Sequence, residues 1–346
     1  MSRSNQDPAS VGRPNSAPMR AMVGRTYGGP EVWRFAEVPR PRPGRGQVLV
    51  RVHAAAIDRG TEHLMYGRPL LVRPAFGIRQ PRQPIPGRDL SGTVVQVGEG
   101  VTQFSIGDEV LGTGSGSLAE FAVTPVNRLA HRPAAVDPVT AAVLPVSGLT
   151  AVQAVRDVGK VHAGQKVLVL GASGGVGSFA VQIAADTGAE VVAVCSAAKA
   201  ERVRALGASE VLDYATTDPL GRPGRYDVVI DIGGGRPLRG LREILTPAGT
   251  LVIVGAEGEG RWLGGVDRQL RATVWSPFVK QRLRMLASRE DGAQVAELAA
   301  MVVDGRITAV IDSVFPLEQA AAAMRTLASG AVTGKVAIDV ALSSTP

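Results

Sequence analysis

The chain has a single cysteine, Cys195, in 346 residues. One cysteine excludes internal disulfides and any zinc site built from several thiolates. Cys195 closes an apolar run and is expected to be a packed core thiol. The four histidines, His53, His63, His131 and His162, are not spaced as metal ligands. No apolar stretch reaches membrane-spanning length without a glycine or a charge, so no membrane partner is expected. Residues 1–18 are rich in Ser, Pro, Asn and Arg and contain no hydrophobic signal-peptide core; they read as a disordered tail, and a cytoplasmic location follows by default. The net charge of +7 comes from scattered basic residues, mostly Arg. Without a dense basic run interleaved with aromatics, nucleic-acid binding is not expected.

Against these absences stands a large apolar content. Hydrophobic residues make up 45% and charged residues 20%, enough to fill the cores of two domains. From Arg20 to about Leu144 the pattern is short alternating strands broken by Pro and Gly, as in Gln47–His53, Gly92–Gly98, Asp108–Gly112 and Ala119–Val123. That rhythm describes a β-barrel-like domain. After Pro145 strands and helices alternate. Strands are expected at Val167–Leu170, Glu190–Cys195, Glu210–Leu212, Asp227–Asp231 and Thr250–Val254, with helices at Ala198–Leu206 and Leu238–Leu245. Such repetition gives a doubly wound parallel sheet. A mixed segment follows: a helix at Gln294–Val303, a strand at Ala309–Ile311, a helix at Leu317–Ala328 and a last strand at Lys335–Val340.

The segment with most chemical content is Gly171–Gly177 (GASGGVG). It follows the apolar run Lys166–Leu170 and precedes the helical pattern from Phe179. Strand, glycine turn and helix N-terminus in that order suit a dinucleotide pyrophosphate: glycines let the backbone approach, and free amides with the helix dipole stabilise the charge. Ala172 stands where the usual G-x-G-x-x-G has its first glycine, which is tolerable if φ there is negative. Gly174, Gly175, Val176 and Gly177 are the contact candidates. At the end of the second strand, Ser196 stands where NAD-preferring sites place an acid, and Lys199 follows. Ser196 and Lys199 suit a 2′-phosphate, so NADPH is expected over NADH.

Several further motifs extend the pattern: Pro86–Gly92 (PGRDLSG), Val97–Val101 (VGEGV), Gly107–Val110 (GDEV), Leu144–Thr150 (LPVSGLT), Leu206–Ala208, Asp213-Tyr214 and Gly334-Lys335. With the glycine turn, their order resembles the medium-chain dehydrogenase/reductase superfamily, within it the zinc-free quinone oxidoreductase branch. The resemblance covers nearly the whole chain from Met19. It implies an α/β fold: a GroES-like β-barrel catalytic domain (19–144, completed by a C-terminal return, 289–346) around a doubly wound Rossmann cofactor domain (145–288). It also implies cofactor contacts at Thr150, Tyr214, Gly255, Ala256 and Lys335, the last reaching the pyrophosphate, and a likeness to proteins that are commonly homodimers, through an edge strand near Leu270–Trp275.

Zinc-dependent members of the superfamily carry a Cys near position 58, Gly-His-Glu near 87–89 and a further ligand near 146. Here those places hold Asp58, Gly87-Arg88-Asp89 and Val146, so no metal is expected. Without a metal, hydrogen-bond donors must polarise the acceptor oxygen. The resemblance places Ile57–Tyr66 on the cleft, which makes His63 and Tyr66 the candidate donors. Asp58 stands where quinone reductases commonly have Asn, and an Asp58–Arg88 ion pair is expected to fill the metal position. Trp262 and Trp275 are candidates for an apolar substrate wall. The expected activity is hydride transfer from NADPH to a small-molecule quinone or α,β-unsaturated carbonyl. A zinc-type alcohol dehydrogenase or carbonyl reductase and a non-catalytic NADPH-binding protein are the alternatives.

Overall fold

The computed structural model describes residues 17–221, 223–255, 272, 276 and 279–341. Its strands are β1 (Pro18–Val23), β2 (Arg34–Pro39), β3 (Gln47–Ile57), β4 (Asp89–Val97), β5 (Glu109–Thr113), β6 (Phe121–Pro125), β7 (Leu129–His131), β8 (Lys166–Leu170), β9 (Glu190–Cys195), β10 (Glu210–Asp213), β11 (Tyr226–Asp231), β12 (Leu245–Ile253), β13 (Arg282–Met285), β14 (Ile311–Pro316) and β15 (Lys335–Asp339). Among the described residues they form two large sheets and the β1–β2 hairpin.

The first large sheet runs β14-β15-β3-β4-β5-β7, with β6 also on β3. Apart from the parallel β14–β15 pair, its strands are antiparallel. β3 organises it. Gln47–Arg51 pairs with β6, Ala54–Ile57 pairs with β15, and β4 lies along the other edge. The alternating pattern ends at His53, yet β3 continues to Ile57, because Ala54–Ile57 is buried on both faces. Ala56 packs with Val143 and Ala337, the former on the helix Pro138–Val143. A strand covered on both sides loses its period-2 signature, which hid these four residues from the sequence pattern.

The second sheet is parallel, in the order β10-β9-β8-β11-β12-β13. Its central strand β8 is KVLVL, with every residue after Lys166 buried. The order reverses between β8 and β11, and the carboxyl ends of these two strands open the crevice where such sheets bind ligands. Gly171 and Ile232 are the first residues beyond them.

Local departures from the sequence expectations have simple causes. The helix expected from Ala198 begins as a 3-10 turn at Ala197–Lys199 and is α-helical over Ala200–Ala205. The helix expected to reach Leu245 stops at Glu243, since Leu245 already belongs to β12. The strand expected at Ala309–Ile311 starts at Ile311 and runs to Pro316, where its partner β15 lies. Pro18, placed in the tail by composition, begins β1 opposite Pro39. No described helix is long and apolar enough to cross a membrane.

Candidate active site

The glycine segment forms the strand–turn–helix junction its spacing suggests. Gly171 has φ +83°, a left-handed value that favours glycine. Ala172 is fully buried and is not among the positive-φ residues, so its methyl is accommodated. Gly174 is the N-cap of the helix Gly175–Asp186 and offers no side chain to its amides. The first helical bond is Ser178 N–H to Gly174 C=O at 2.9 Å. The amides of Gly175, Val176 and Gly177 therefore precede the ladder and point out of the helix end. Gly175 and Val176 face a cleft of about 1590 Å³ lined by both halves of the molecule. Gly177 has a different task. A Cβ there would lie 2.1 Å from Gly171 O, so only glycine lets this helix sit on its strand.

The cleft continues over the ends of β11 and β12 at Gly233 and Gly255. A Cβ on Gly255 would lie 2.0 Å from Ile232 O, so backbone meets backbone there too. Thr150 lines the same space; its hydroxyl donates to Val146 O (2.7 Å) and lies 3.3 Å from the Ser288 hydroxyl.

Opposite stands the helix Arg59–Tyr66. Asp58 caps it, accepting from the Thr61 amide (2.7 Å) and hydroxyl (3.0 Å), and Gly67 in the left-handed conformation ends it. His63 and Tyr66 sit one turn apart on this helix, and both face the cleft with Asp58. Burial pushes the Asp58 carboxyl up, but Lys335, the Thr61 amide and Arg88 outweigh it and hold the group below its ordinary value. Asp58 is therefore an anion at neutral pH and has no proton to give.

Behind Asp58 lies a set of charges from distant parts of the chain. Lys335 Nζ donates to Asp89 Oδ2 at 2.9 Å, and the two side chains are 2% and 0% exposed. Asp89 Oδ1 accepts from the Val146 amide (2.7 Å), at the start of the helix Pro145–Val152. For Asp89 the balance tips the other way: burial and the Asp58 charge raise it more than Lys335 and Val146 lower it. Arg88 pairs with Glu290 through Nε (3.1 Å) and Nη2, and Glu290 also holds Arg128. Glu290 lies on the segment that crosses back from the parallel sheet.

The comparisons agree with this geometry. Residues 44–134 match the family described as alcohol dehydrogenase GroES-like domain, and residues 206–338 match the zinc-binding dehydrogenase family. The chain is 32% identical over 337 residues to the chloroplast envelope quinone oxidoreductase homolog of Arabidopsis thaliana, covering 93% of this chain and 98% of that one. It is 33% identical over 364 residues to the mitochondrial NAD(P)H oxidoreductase RTN4IP1 of Bos taurus, covering 96% and 91%. Among solved structures, the quinone oxidoreductase from Coxiella burnetii superposes with a TM-score of 0.81 at 26% identity, over 94% of this chain and 100% of that one. This chain is a medium-chain dehydrogenase/reductase. It belongs to the quinone oxidoreductase-like branch, with the GroES-like and Rossmann-like halves of that superfamily.

In this medium-chain dehydrogenase/reductase some expected residues take other places. Lys335 lines the cleft, but its ammonium is engaged by a carboxylate. It is 1% exposed, its ammonium is on Asp89, and only its stem lies near Gly175, whose Cβ would meet Lys335 Cδ at 2.8 Å. Asp58 and Arg88 make no hydrogen bond with each other: Thr61 takes one carboxylate oxygen of Asp58, and Glu290 draws Arg88 away. Lys199 does face the cleft, but its ammonium donates to Gly330 O and Val332 O, both at 2.8 Å, leaving one N–H. Ser196 is the N-cap of the 3-10 turn holding Lys199 and is not part of the cleft lining. Tyr214 follows the edge strand β10 and is 58% exposed, away from the lining. Ala256, Trp262, Trp275 and the expected edge strand Leu270–Trp275 fall outside the described residues, Ala272 excepted. Sequence reasoning missed Asp89, Arg128 and Glu290 as site residues. Asp89 stood inside the PGRDLSG motif, but nothing local tied it to a lysine 246 positions later.

Proposed function

We propose that the chain is an NADPH-dependent, zinc-independent oxidoreductase that delivers hydride to a quinone or an α,β-unsaturated carbonyl. The observation that carries this is the shared cleft: the uncapped helix end at Gly174–Val176 and the donors His63 and Tyr66 line one space. When bound, the nicotinamide supplies two electrons and a proton as hydride. The amides of Gly175 and Val176 with the helix dipole would hold the pyrophosphate. The free N–H of Lys199 suits a 2′-phosphate, while its two carbonyl bonds fix the loop that leads into β15. The imidazole of His63 and the hydroxyl of Tyr66 would donate to the acceptor oxygen as negative charge develops there. Asp58, held as an anion, orients rather than donates.

The donor set does not suit zinc. Asp89 is already bound to an ammonium and an amide, Asp58 caps a helix, and Arg88 brings a cation to the same wall. No thiolate or imidazole stands at these positions, and tetrahedral zinc needs such ligands. A cytoplasmic homodimer completes the proposal.

The test is NADPH oxidation against a panel of quinones and enones, with metal analysis of the same sample. Turnover with sub-stoichiometric metal, resistant to a chelator and with kcat/KM higher for NADPH than NADH, is the expected result. Stoichiometric zinc with activity lost to the chelator would overturn the metal-free reading. NADPH binding without turnover of any acceptor would favour a non-catalytic protein.

A further inference from the structure

We propose that the loop from Arg68 to Arg82 docks the protein on an anionic bilayer surface, so that the cleft mouth takes a lipophilic quinone from the lipid. The acceptor part of this rests on the quinone reading above. Between Glu62 and Asp89 the chain carries five arginines and no carboxylate. Four of them, Arg68, Arg73, Arg79 and Arg82, belong to this loop, and none meets a carboxylate among the described residues. Arg73 donates to Gly67 O (2.9 Å), Arg82 to Ala75 O (3.1 Å), and Arg68 lies over the Tyr66 ring. Elsewhere surface arginines find acids, as in Arg20–Glu120, Arg156–Glu297, Arg239–Glu243 and Arg306–Asp186.

The same loop holds Leu71, Phe76 and Ile78, which are 53%, 48% and 68% exposed. They are the one cluster in sequence among the exposed large hydrophobic residues, the rest of which are scattered through the described chain. Single exposed apolar residues need no explanation, but three together beside unpaired cations mark a contact surface. The loop is held in shape. Gly77 N donates to Arg73 O (2.7 Å), Arg82 N to Phe76 O (2.8 Å), and the Tyr27 hydroxyl to Gly77 O (2.6 Å). Phe76 and Arg82 also line the cleft, so this loop is part of its rim. A bilayer surface offers what the loop lacks: phosphates for planar guanidinium groups and an acyl boundary for the apolar tips. With no described helix able to span a membrane, the contact would be peripheral and reversible.

The experiment floats the full-length protein with vesicles of phosphatidylcholine alone or with about 30% phosphatidylglycerol. Binding to the anionic vesicles only is expected, with a drop of about tenfold or more on raising salt to about 0.5 M. Ile78→Asp and Arg79→Glu should each lower it by a similar factor. Both positions lie outside the cleft lining, so turnover of a short-chain, water-soluble quinone should be unchanged. Turnover of a long-chain quinone dissolved in the vesicles should fall. Equal binding to neutral vesicles, binding to neither, or variants that bind like the parent would overturn the proposal. So would a loss of oligomeric mass in Ile78→Asp without any vesicle binding, which would assign the loop to a contact between copies. A parent that binds anionic vesicles but reduces neither quinone overturns the quinone reading and leaves the bilayer contact standing.

Discussion

The two walls of the cleft are built from different materials. The wall proposed for the nucleotide is backbone: one contiguous run, Gly171–Gly177, supplies the turn, the amides and the close packing. The wall proposed for the acceptor is backed by side-chain charge: Asp58, Arg88, Asp89, Glu290 and Lys335 come from two segments more than two hundred residues apart. A backbone site depends on steric room and tolerates neighbours that change. A charge site depends on each fully buried ion keeping its counterion, because a buried ion without one is costly. The walls should therefore fail in different ways.

The largest expected effect is on the charged wall. Lys335→Met leaves Asp89 buried beside Asp58 and should lower unfolding stability by ~3–5 kcal/mol in denaturant melts at neutral pH. Adding Asp89→Asn should recover most of it. Because the folded-state pKa of Asp89 is raised, the proton it takes up favours the fold below that pKa; the deficit of Lys335→Met should shrink as the solution is acidified. A deficit that is flat with pH, or absent, would break the comparison. Next is Gly177→Ala on the backbone wall. Its methyl would press on Gly171 O at 2.1 Å, and an overpacking cost of about 2–3 kcal/mol is expected in thermal melts. Gly174→Ala is its control. The nearest atom is 3.6 Å away, so the fold should hold while NADPH titration shows weaker binding.

His63→Ala should lower kcat by ~10–100-fold with the NADPH Kd unchanged, which steady-state kinetics and a fluorescence titration would separate. Arg88→Ala should cost no more than about 1 kcal/mol, since Glu290 keeps Arg128. Asp58→Asn is the mildest, because Asn caps a helix nearly as well as Asp. The depressed pKa of Asp58 adds stability above its ordinary value of about 3.9 that is lost as pH falls through the folded-state value. The small gap between parent and Asp58→Asn should thus close in acid; a gap that widens would mean that the fold raises the Asp58 pKa instead of lowering it.

Legibility followed the same division. The glycine turn and five of the six strands of the parallel sheet could be read because each signal is local; β13, the short edge strand Arg282–Met285, was missed. The partners of Lys335 and Arg88 could not, since pairing across 246 and 202 positions leaves no periodicity. The family resemblance pointed Lys335 at the pyrophosphate; in the structure it is buried at the start of β15 with its ammonium on Asp89. Lys199 shows the intermediate case: its place at the strand end was legible, its two carbonyl partners on the Gly330–Val332 turn were not.

The place of β15 also sets a schedule for folding. It lies between β14 and β3, with Val336 opposite Ile57, and Gly334 N bonds Ser173 O at 2.8 Å beside the glycine turn. A ribosome releases β3 long before β15. The parallel sheet can assemble from a continuous stretch of chain, but Ala54–Ile57 waits as an open apolar edge until the whole of that sheet has emerged. Closure of the first sheet is then a late, long-range event. Closing it brings together segments about 280 residues apart, whose loop-closure entropy must be met before the pairing is gained.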